Sequence, residues 1–373
     1  MKFSCDKSEF LAAILTASRA TAAKSPVPAL EGLLLEAEDD AVSITGYNLK
    51  TGIVTRIEAE VRETGAFVLG AKLLGEIVRR APEDTISLYT SADGRTRVDS
   101  GASTFDIVGT SAEDYPELPE IDGAEYIELG SKALKAMISQ TSFAVSTDES
   151  RPILMGELFE VDKRRISVVA ADGYRFALRR EELDVAAENA CAFIVPGSAL
   201  SEVEKIITGL DEDVRITVGA RYIAFTVAST VLLTRRLEGA FLNYKAAVPT
   251  ETKFTVRADR RELTDAVERV SLIISDRVRS PLRCVFDDGL LKLRTVSAYG
   301  SASDERRVDG DGEGLEVGFN HKYLLDALHA APADEIALDL LAATKPCIVR
   351  PVDADDESFL YGVLPVQLTR DAR

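Results

Sequence analysis

The chain has 373 residues, with 44 Lys plus Arg against 62 Asp plus Glu and a formal charge of −18. So acidic a balance argues against a protein that coats itself onto nucleic acid or an anionic membrane, because such binding runs on Lys and Arg displacing counterions. At about 150 residues per domain the length predicts two or three domains, and 46% hydrophobic with 28% charged residues is ordinary for a folded soluble protein.

There is no run of about 18 apolar residues, so nothing is expected to span a membrane. The opening Met1-Lys2-Phe3-Ser4-Cys5-Asp6 lacks the apolar stretch of a signal peptide, and a cytoplasmic protein is expected. Cys5, Cys191, Cys284 and Cys347 stand far apart without a CxxC pattern. They read as reduced, mostly buried small apolar residues rather than metal ligands or a disulfide framework.

In chain order, a short alternating strand at Lys2-Phe3-Ser4-Cys5 runs into an amphipathic helix over 8–21, with an apolar stripe of Phe10, Leu11, Ile14 and Leu15. Strand-like runs follow at 33–36 and 42–45, the latter leading into Gly46-Tyr47. A second strand-to-helix signal, Phe67-Val68-Leu69-Gly70-Ala71-Lys72, opens a helix striped by Leu73, Leu74, Ile77 and Val78. The Pro-rich acidic stretch 113–119 ends this unit.

The same order then recurs twice. Tyr126-Ile127-Glu128-Leu129 leads into a helix over 131–141, and Phe254-Thr255-Val256-Arg257 into one over 260–271. The second signal recurs at Phe193-Ile194-Val195-Pro196-Gly197-Ser198 and at Val317-Gly318-Phe319-Asn320-His321-Lys322, where Leu324, Leu325 and Leu328 form the stripe. Glu157-Leu158-Phe159-Glu160 matches 33–36, and 166–171 followed by Asp172-Gly173-Tyr174 parallels 42–45 with Gly46-Tyr47. One stripe per helix means one face on a sheet and one face in water. The fold class is α+β, in three tandem units of two helices backed by antiparallel strands, with domains at 1–122, 123–250 and 251–373.

Few local patterns suggest chemistry. Asp309-Gly310-Asp311-Gly312-Glu313-Gly314 imitates the start of a calcium loop, but Asn320 stands where a bidentate Glu is needed and no helix precedes it, so a solvated turn is expected. Asp172 beside Arg175 is compatible with a catalytic acid, yet Asp-Gly is also a common tight turn. His321 and His329 share a helix without a third ligand nearby, and no phosphate-binding loop or nucleophile elbow occurs. Neither a cofactor nor a metal is expected.

Charge divides by element. The helical segments 8–21, 71–80, 131–141, 198–208, 260–271 and 320–330 carry 0, +2, +2, −1, 0 and 0, so the strands and loops hold nearly all the acid. A mildly positive helical surface on an acidic body is a surface that can face DNA.

Three tandem units of this kind resemble the bacterial sliding clamps, the β subunit of the DNA polymerase III holoenzyme. The resemblance spans the chain from Met1-Lys2-Phe3 to Val363-Leu364-Pro365-Val366-Gln367-Leu368. It rests on four markers taken together: Pro28-Ala29-Leu30-Glu31-Gly32-Leu33-Leu34-Leu35, Ala170-Ala171-Asp172-Gly173-Tyr174-Arg175, Leu237-Glu238-Gly239-Ala240-Phe241-Leu242-Asn243-Tyr244, and Gly318-Phe319-Asn320.

It implies a non-catalytic processivity factor, a head-to-tail homodimer closing a six-domain ring around double-stranded DNA without reading its sequence. Closure by edge pairing protects open sheet edges. By family position Phe105 and Ile107 meet Ile273 and Ile274 across the subunit contact, and Lys24, Lys72, Arg79, Arg80, Lys132 and Lys135 are candidates for the DNA-facing wall. The polymerase, the clamp loader and repair proteins insert linear peptides with Gln and Leu-Phe-like anchors into an apolar groove. Here the resemblance assigns that groove to Leu154, Ala171, Gly173, Tyr174, Arg175, Phe176, Leu242, Ala247, Asn320, Tyr323, Thr344, Pro346, Val363, Leu364, Pro365 and Val366.

Five features depart from the common pattern: Leu242 replaces a proline, Phe176 a leucine, Gln367 a basic residue and Gly197-Ser198 the basic residues of some relatives, and a tail follows at 369–373. Two other readings stand beside the clamp: a carboxylate-dependent hydrolase built on Asp172, and a peptide-binding scaffold with no role on DNA.

Overall fold

The computed structural model describes residues 1–91, 94–121, 126–275 and 280–368. The expected domain boundary at 122 and the tail at 369–373 lie outside the described residues. Six α-helices occur among them: α1 (Lys7–Ala17), α2 (Ala71–Arg80), α3 (Ser131–Thr141), α4 (Gly197–Ile207), α5 (Arg260–Ser271) and α6 (His321–Ala330). None is long and apolar enough to cross a membrane.

Local chemistry sets several helix starts. Asp6 caps α1 by accepting from the Ser8 and Glu9 amides, Asp259 caps α5 through the Glu262 amide, and Asn320 caps α6 through the Lys322 amide. The first expected helix is shorter than its apolar pattern, because the α-helix ends at Ala17 and one 3-10 turn, Ser18–Ala20, completes it.

The buried stripes are also narrower than expected. In α1 the core-facing set is Phe10, Ala13, Ile14 and Ala17, while Leu11 is half-buried and Leu15 lies in the wet face. In α2, Leu74, Ile77 and Val78 are buried and Leu73 is exposed. The i, i+3, i+4, i+7 spacing admits the alanines and excludes the extra leucines.

The chain packs as two compact units that do not coincide with the repeats: residues 1–132 with 198–236, and 133–197 with 237–373. In the first unit a five-stranded antiparallel sheet runs in the order Glu60–Glu63, Lys2–Asp6, Thr85–Thr90, Arg95–Ser100, Ser103–Val108. A nine-stranded sheet contains Gly32–Glu38, Ala41–Tyr47 and Thr51–Glu58 of the first repeat, continued by Thr230–Arg235, Tyr222–Val227 and Asp213–Val218 of the second. In the second unit an eight-stranded sheet joins Arg165–Ala171 and Arg175–Glu182 to Phe359–Val363 and Cys347–Pro351. A four-stranded sheet there has Gly300–Arg307 at one edge.

Each repeat boundary is therefore crossed by backbone pairing, Thr51–Glu58 against Thr230–Arg235 and Arg175–Glu182 against Phe359–Val363. The register corrects one expected match. Tyr47 pairs with Gly52 as Ala171 pairs with Phe176, so Tyr47 corresponds to Ala171 and not to Tyr174.

The stretch 113–119 is more than a spacer. Tyr115 is buried with Ala29, Leu30, Tyr47 and Val68, and its hydroxyl donates to the Thr45 carbonyl at 3.3 Å. The segment 309–314 is a turn whose Asp309 backbone pairs with Arg257 and whose Asp311 carboxylate accepts from the Glu313 amide. Cys5, Cys284 and Cys347 are buried and Cys191 half-buried, and none of the four is in a disulfide. Burial pushes the Cys5 and Cys347 thiols up to about 12, which keeps them protonated and poor nucleophiles.

Candidate functional site

The site in the second unit grows from a turn. Asp172 Oδ1 accepts from the Tyr174 and Arg175 amides at 2.8 and 3.0 Å, and Gly173 between them sits at φ +95°, a conformation that favours glycine. The strand leaving this turn pairs with the end of the chain: Arg175 lies opposite Val363 and Phe176 opposite Gly362. Beyond that strand the Leu364 amide donates to the Tyr174 carbonyl at 2.9 Å and the Val366 amide to the Gly318 carbonyl at 2.8 Å. Residues 363–366 thus form a strap tied to the turn on one side and to the approach of α6 on the other.

Arg175 is the centre of the polar layer. Its Nε donates to Asp172 Oδ2 at 3.0 Å and its Nη1 to Asp326 on α6. The guanidinium lies 4.5 Å from the Tyr323 ring centroid and 5.5 Å from that of Phe143. Tyr174 stacks on Tyr323 with centroids 6.2 Å apart. With its side chain only 12% exposed, Arg175 holds the turn against α6. Cation–π and paired-charge contacts of this kind gain strength as water is excluded.

Below this layer Ala171, Phe176 and Ile348 form an apolar cluster against which Phe241, Ala247, Val248 and Leu360 pack. Leu242 is exposed next to Phe241, and Leu154 is buried at the end of a short 3-10 helix. Asn320 spends its side-chain oxygen on capping α6. Pro365 is half-buried in the strap. Thr344 is exposed and Pro346 half-buried in the turn before Cys347–Pro351, and no hydrogen bond among the described residues ties either to the polar layer.

Asp172, Asp326 and Phe143 are site residues that the sequence pattern did not single out for this role. Asp326 follows Tyr323 by one helical turn, so it shares that face, and this spacing is the signal that finds it. Asp172 has its oxygens engaged by two amides and a guanidinium, which is the chemistry of a turn anchor and not of a proton donor.

The other expected residues lie elsewhere. Lys72, Arg79 and Arg80 are exposed on α2, with both arginines paired to Glu76. Lys132 on α3 pairs with Asp211 at 2.8 Å. Lys24, Lys72 and Lys135 carry no ion pair among the described residues. Phe105 and Ile107 lie on the sheet-edge strand Ser103–Val108, and Ile273 and Ile274 directly follow α5. The more exposed Val108 and Leu272, at 80% and 83%, adjoin them. His329 approaches Glu268 at 3.1 Å, and no metal-binding cluster occurs among the described residues.

Comparison with known proteins decides the family. Models of the DNA polymerase III beta subunit match the chain in succession: the N-terminal domain over residues 1–119, the central domain over 128–243 and the C-terminal domain over 245–367. A DNA polymerase III beta subunit structure from Eubacterium rectale is 30% identical, covers 99% of this chain and all of its own, and superposes with a TM-score of 0.94. The chain belongs to the bacterial sliding clamp family. The sliding clamp structure of Bacillus subtilis is 28% identical with a TM-score of 0.95, covering 99% of this chain and 100% of that one. The beta sliding clamp of Staphylococcus epidermidis is 29% identical over 98% of this chain and 99% of its own.

The protein is accordingly a processivity factor of DNA replication, with partners in duplex DNA and the replicative polymerase. The family is non-catalytic, so the hydrolase reading built on Asp172 falls away. Its known arrangement is a six-domain ring made by two subunits.

Proposed function

We propose that the turn 172–175, the start of α6 and the strap 363–366 form the seat for partner peptides. The observation that carries this reading is the strap itself, whose amides at Leu364 and Val366 bond to Tyr174 and Gly318 on two different elements. It brings Tyr174, Arg175, Tyr323 and Leu364 to one place next to the apolar cluster of Ala171, Phe176 and Ala247. Aromatic faces and aliphatic walls suit buried Leu and Phe anchors, and the polar layer orients the peptide. Fluorescence anisotropy with a labelled heptapeptide carrying Gln, Leu and Phe anchors tests it. Tyr323→Ala and Leu364→Asp are each expected to weaken binding at least tenfold, and unchanged affinity in both sinks the assignment.

The ring contact is assigned to Phe105 and Ile107 of one subunit against Ile273 and Ile274 of the other, with Leu272 joining them. An unpaired strand edge carrying exposed apolar side chains needs such a cover. Lys24, Lys72, Arg79, Arg80, Lys132 and Lys135 are assigned to the DNA-facing wall. Exposed ion pairs such as those at Glu76 and Asp211 are weak, so phosphate can displace them without gripping, which sliding requires. Retention on primed circular DNA after loading, and loss when the circle is cut, tests the topological link. Retention that survives cutting rejects it. A role in replicating bacterial DNA supports assigning the protein to the cytoplasm.

A further inference from the structure

Three neighbouring strands in the floor of the proposed peptide seat set Ala171, Phe176 and Gly362 side by side in one row. Gly362 is there for space. A Cβ built on it would lie 2.0 Å from Phe176 Cε1 and 2.4 Å from Cζ. The ring therefore lies across the Gly362 backbone and occupies the room that any side chain at 362 needs. It is 2% exposed and packs beside Ile348 and Ala247. In so close-packed a setting it cannot sink to admit a larger guest.

One repeat earlier the corresponding row reads Tyr47, Gly52 and Leu233, with large and small residues exchanged. There the space over the central glycine is taken by Leu118 of the following segment, whose Cδ2 lies 2.8 Å from a Cβ built at Gly52. An aliphatic side chain thus closes the equivalent row from above, while at the second row the aromatic ring fills from within.

We propose that the Phe176–Gly362 pair sets the size of the apolar anchor that the groove accepts, favouring a branched aliphatic side chain over an aromatic one. The inference rests on the assignment of this groove to linear partner peptides. Two labelled heptapeptides separate the cases, one with Gln, Leu and Phe anchors and one with Leu in place of Phe.

Trimming the floor by Phe176→Leu is expected to raise the affinity ratio of the Phe peptide to the Leu peptide about tenfold, the discrimination that a methylene's worth of pocket supports. Adding Gly362→Ala to that variant returns a methyl to the vacated space and is expected to bring the ratio back toward wild type. Circular dichroism melts accompany each variant, and if Phe176→Leu does not fold, Phe176→Ile, which likewise removes the ring and its volume, is read in the same way. A ratio unchanged by loss of the ring, with both peptides still bound, overturns the inference and leaves the groove assignment standing. Failure of the wild-type protein to bind either peptide overturns the groove assignment and the inference with it.

Discussion

The two strand pairs that cross repeat boundaries start from the same turn and are finished in opposite ways. At the first, Asn48 Oδ1 accepts from the Lys50 and Thr51 amides, Leu49 takes φ 70°, and the Arg235 amide bonds to the Lys50 carbonyl at 3.1 Å. At the second, Asp172, Gly173, Arg175, Leu364 and Tyr174 fill the same positions with the same bonds. The backbone plan is shared, and the side chains differ. Tyr47, Tyr115 and Leu118 pack the first junction, in a cluster with Leu30. The second offers Ala171 and Ala247 in the corresponding region, and sets an arginine between two carboxylates and two rings. A repeat can finish two copies of a joint differently by changing residue size while leaving the hydrogen-bond frame alone.

The largest effect that sharpens this contrast is expected from Arg175→Ala. It leaves Asp172 and Asp326 facing each other without their cation in a part-buried layer, and breaking such a pair costs about 3 kcal/mol. The counterpart Thr51→Ala removes no ion pair and is expected to cost at most about 0.5 kcal/mol. Urea unfolding of the two variants compares them, and equal costs break the distinction between the junctions.

Glycine replacements come next. At Gly362 an added Cβ meets the Phe176 ring at 2.0 Å, whereas at Gly52 it meets the end of the Leu118 side chain at 2.8 Å. A buried ring yields less readily than a flexible side-chain end, so Gly362→Ala is expected to cost about 2 kcal/mol and Gly52→Ala under about 1 kcal/mol. The order of the two melting temperatures checks this.

Exchanging the turn residue tests how far the plan is shared. Asp172→Asn copies Asn48 and keeps the oxygen that accepts the two amides, but it loses the charge and puts an amino group where Oδ2 accepts from Arg175 Nε. A cost of about 1 kcal/mol is expected, with the reverse change Asn48→Asp within about 0.5 kcal/mol. A collapse of Asp172→Asn would mean that the contact with Arg175, and not the turn, holds the second junction.

How much of this was legible in the sequence follows from the range of the forces involved. The helices α2, α3 and α5 were readable to their ends, because strand-to-helix signals and apolar spacing are local and repeated three times. Leu15 and Leu73 are apolar but exposed, because the angle around the helix, and not apolar content, decides burial. Tyr47 matches Tyr174 in residue type alone, whereas the Asn48 and Asp172 turns share their place in the register. The candidate residues at 173–176 are nameable by resemblance, but Asp326 and Phe143 are joined to Arg175 only through tertiary packing. The exchange between Phe176 and Gly362 is invisible until the strands are paired.

The smallest effect belongs to the first junction. Thr55 and Thr230 face each other with their hydroxyls 3.2 Å apart, where the second junction has Arg179 opposite Phe359, its guanidinium bonded to the Ser358 carbonyl at 2.6 Å. A cross-strand Thr pair contributes a few tenths to about 1 kcal/mol. Replacing either threonine by Val leaves its partner's hydroxyl to find water, and a loss of about 0.5 kcal/mol is expected for each. Replacing both removes donor and acceptor together, so the double variant is expected to be no worse than either single one. A double-mutant cycle by urea unfolding measures the coupling. Strict additivity of the two losses would mean that the hydroxyls do not interact, and that the first junction is held by backbone pairing and apolar closure alone.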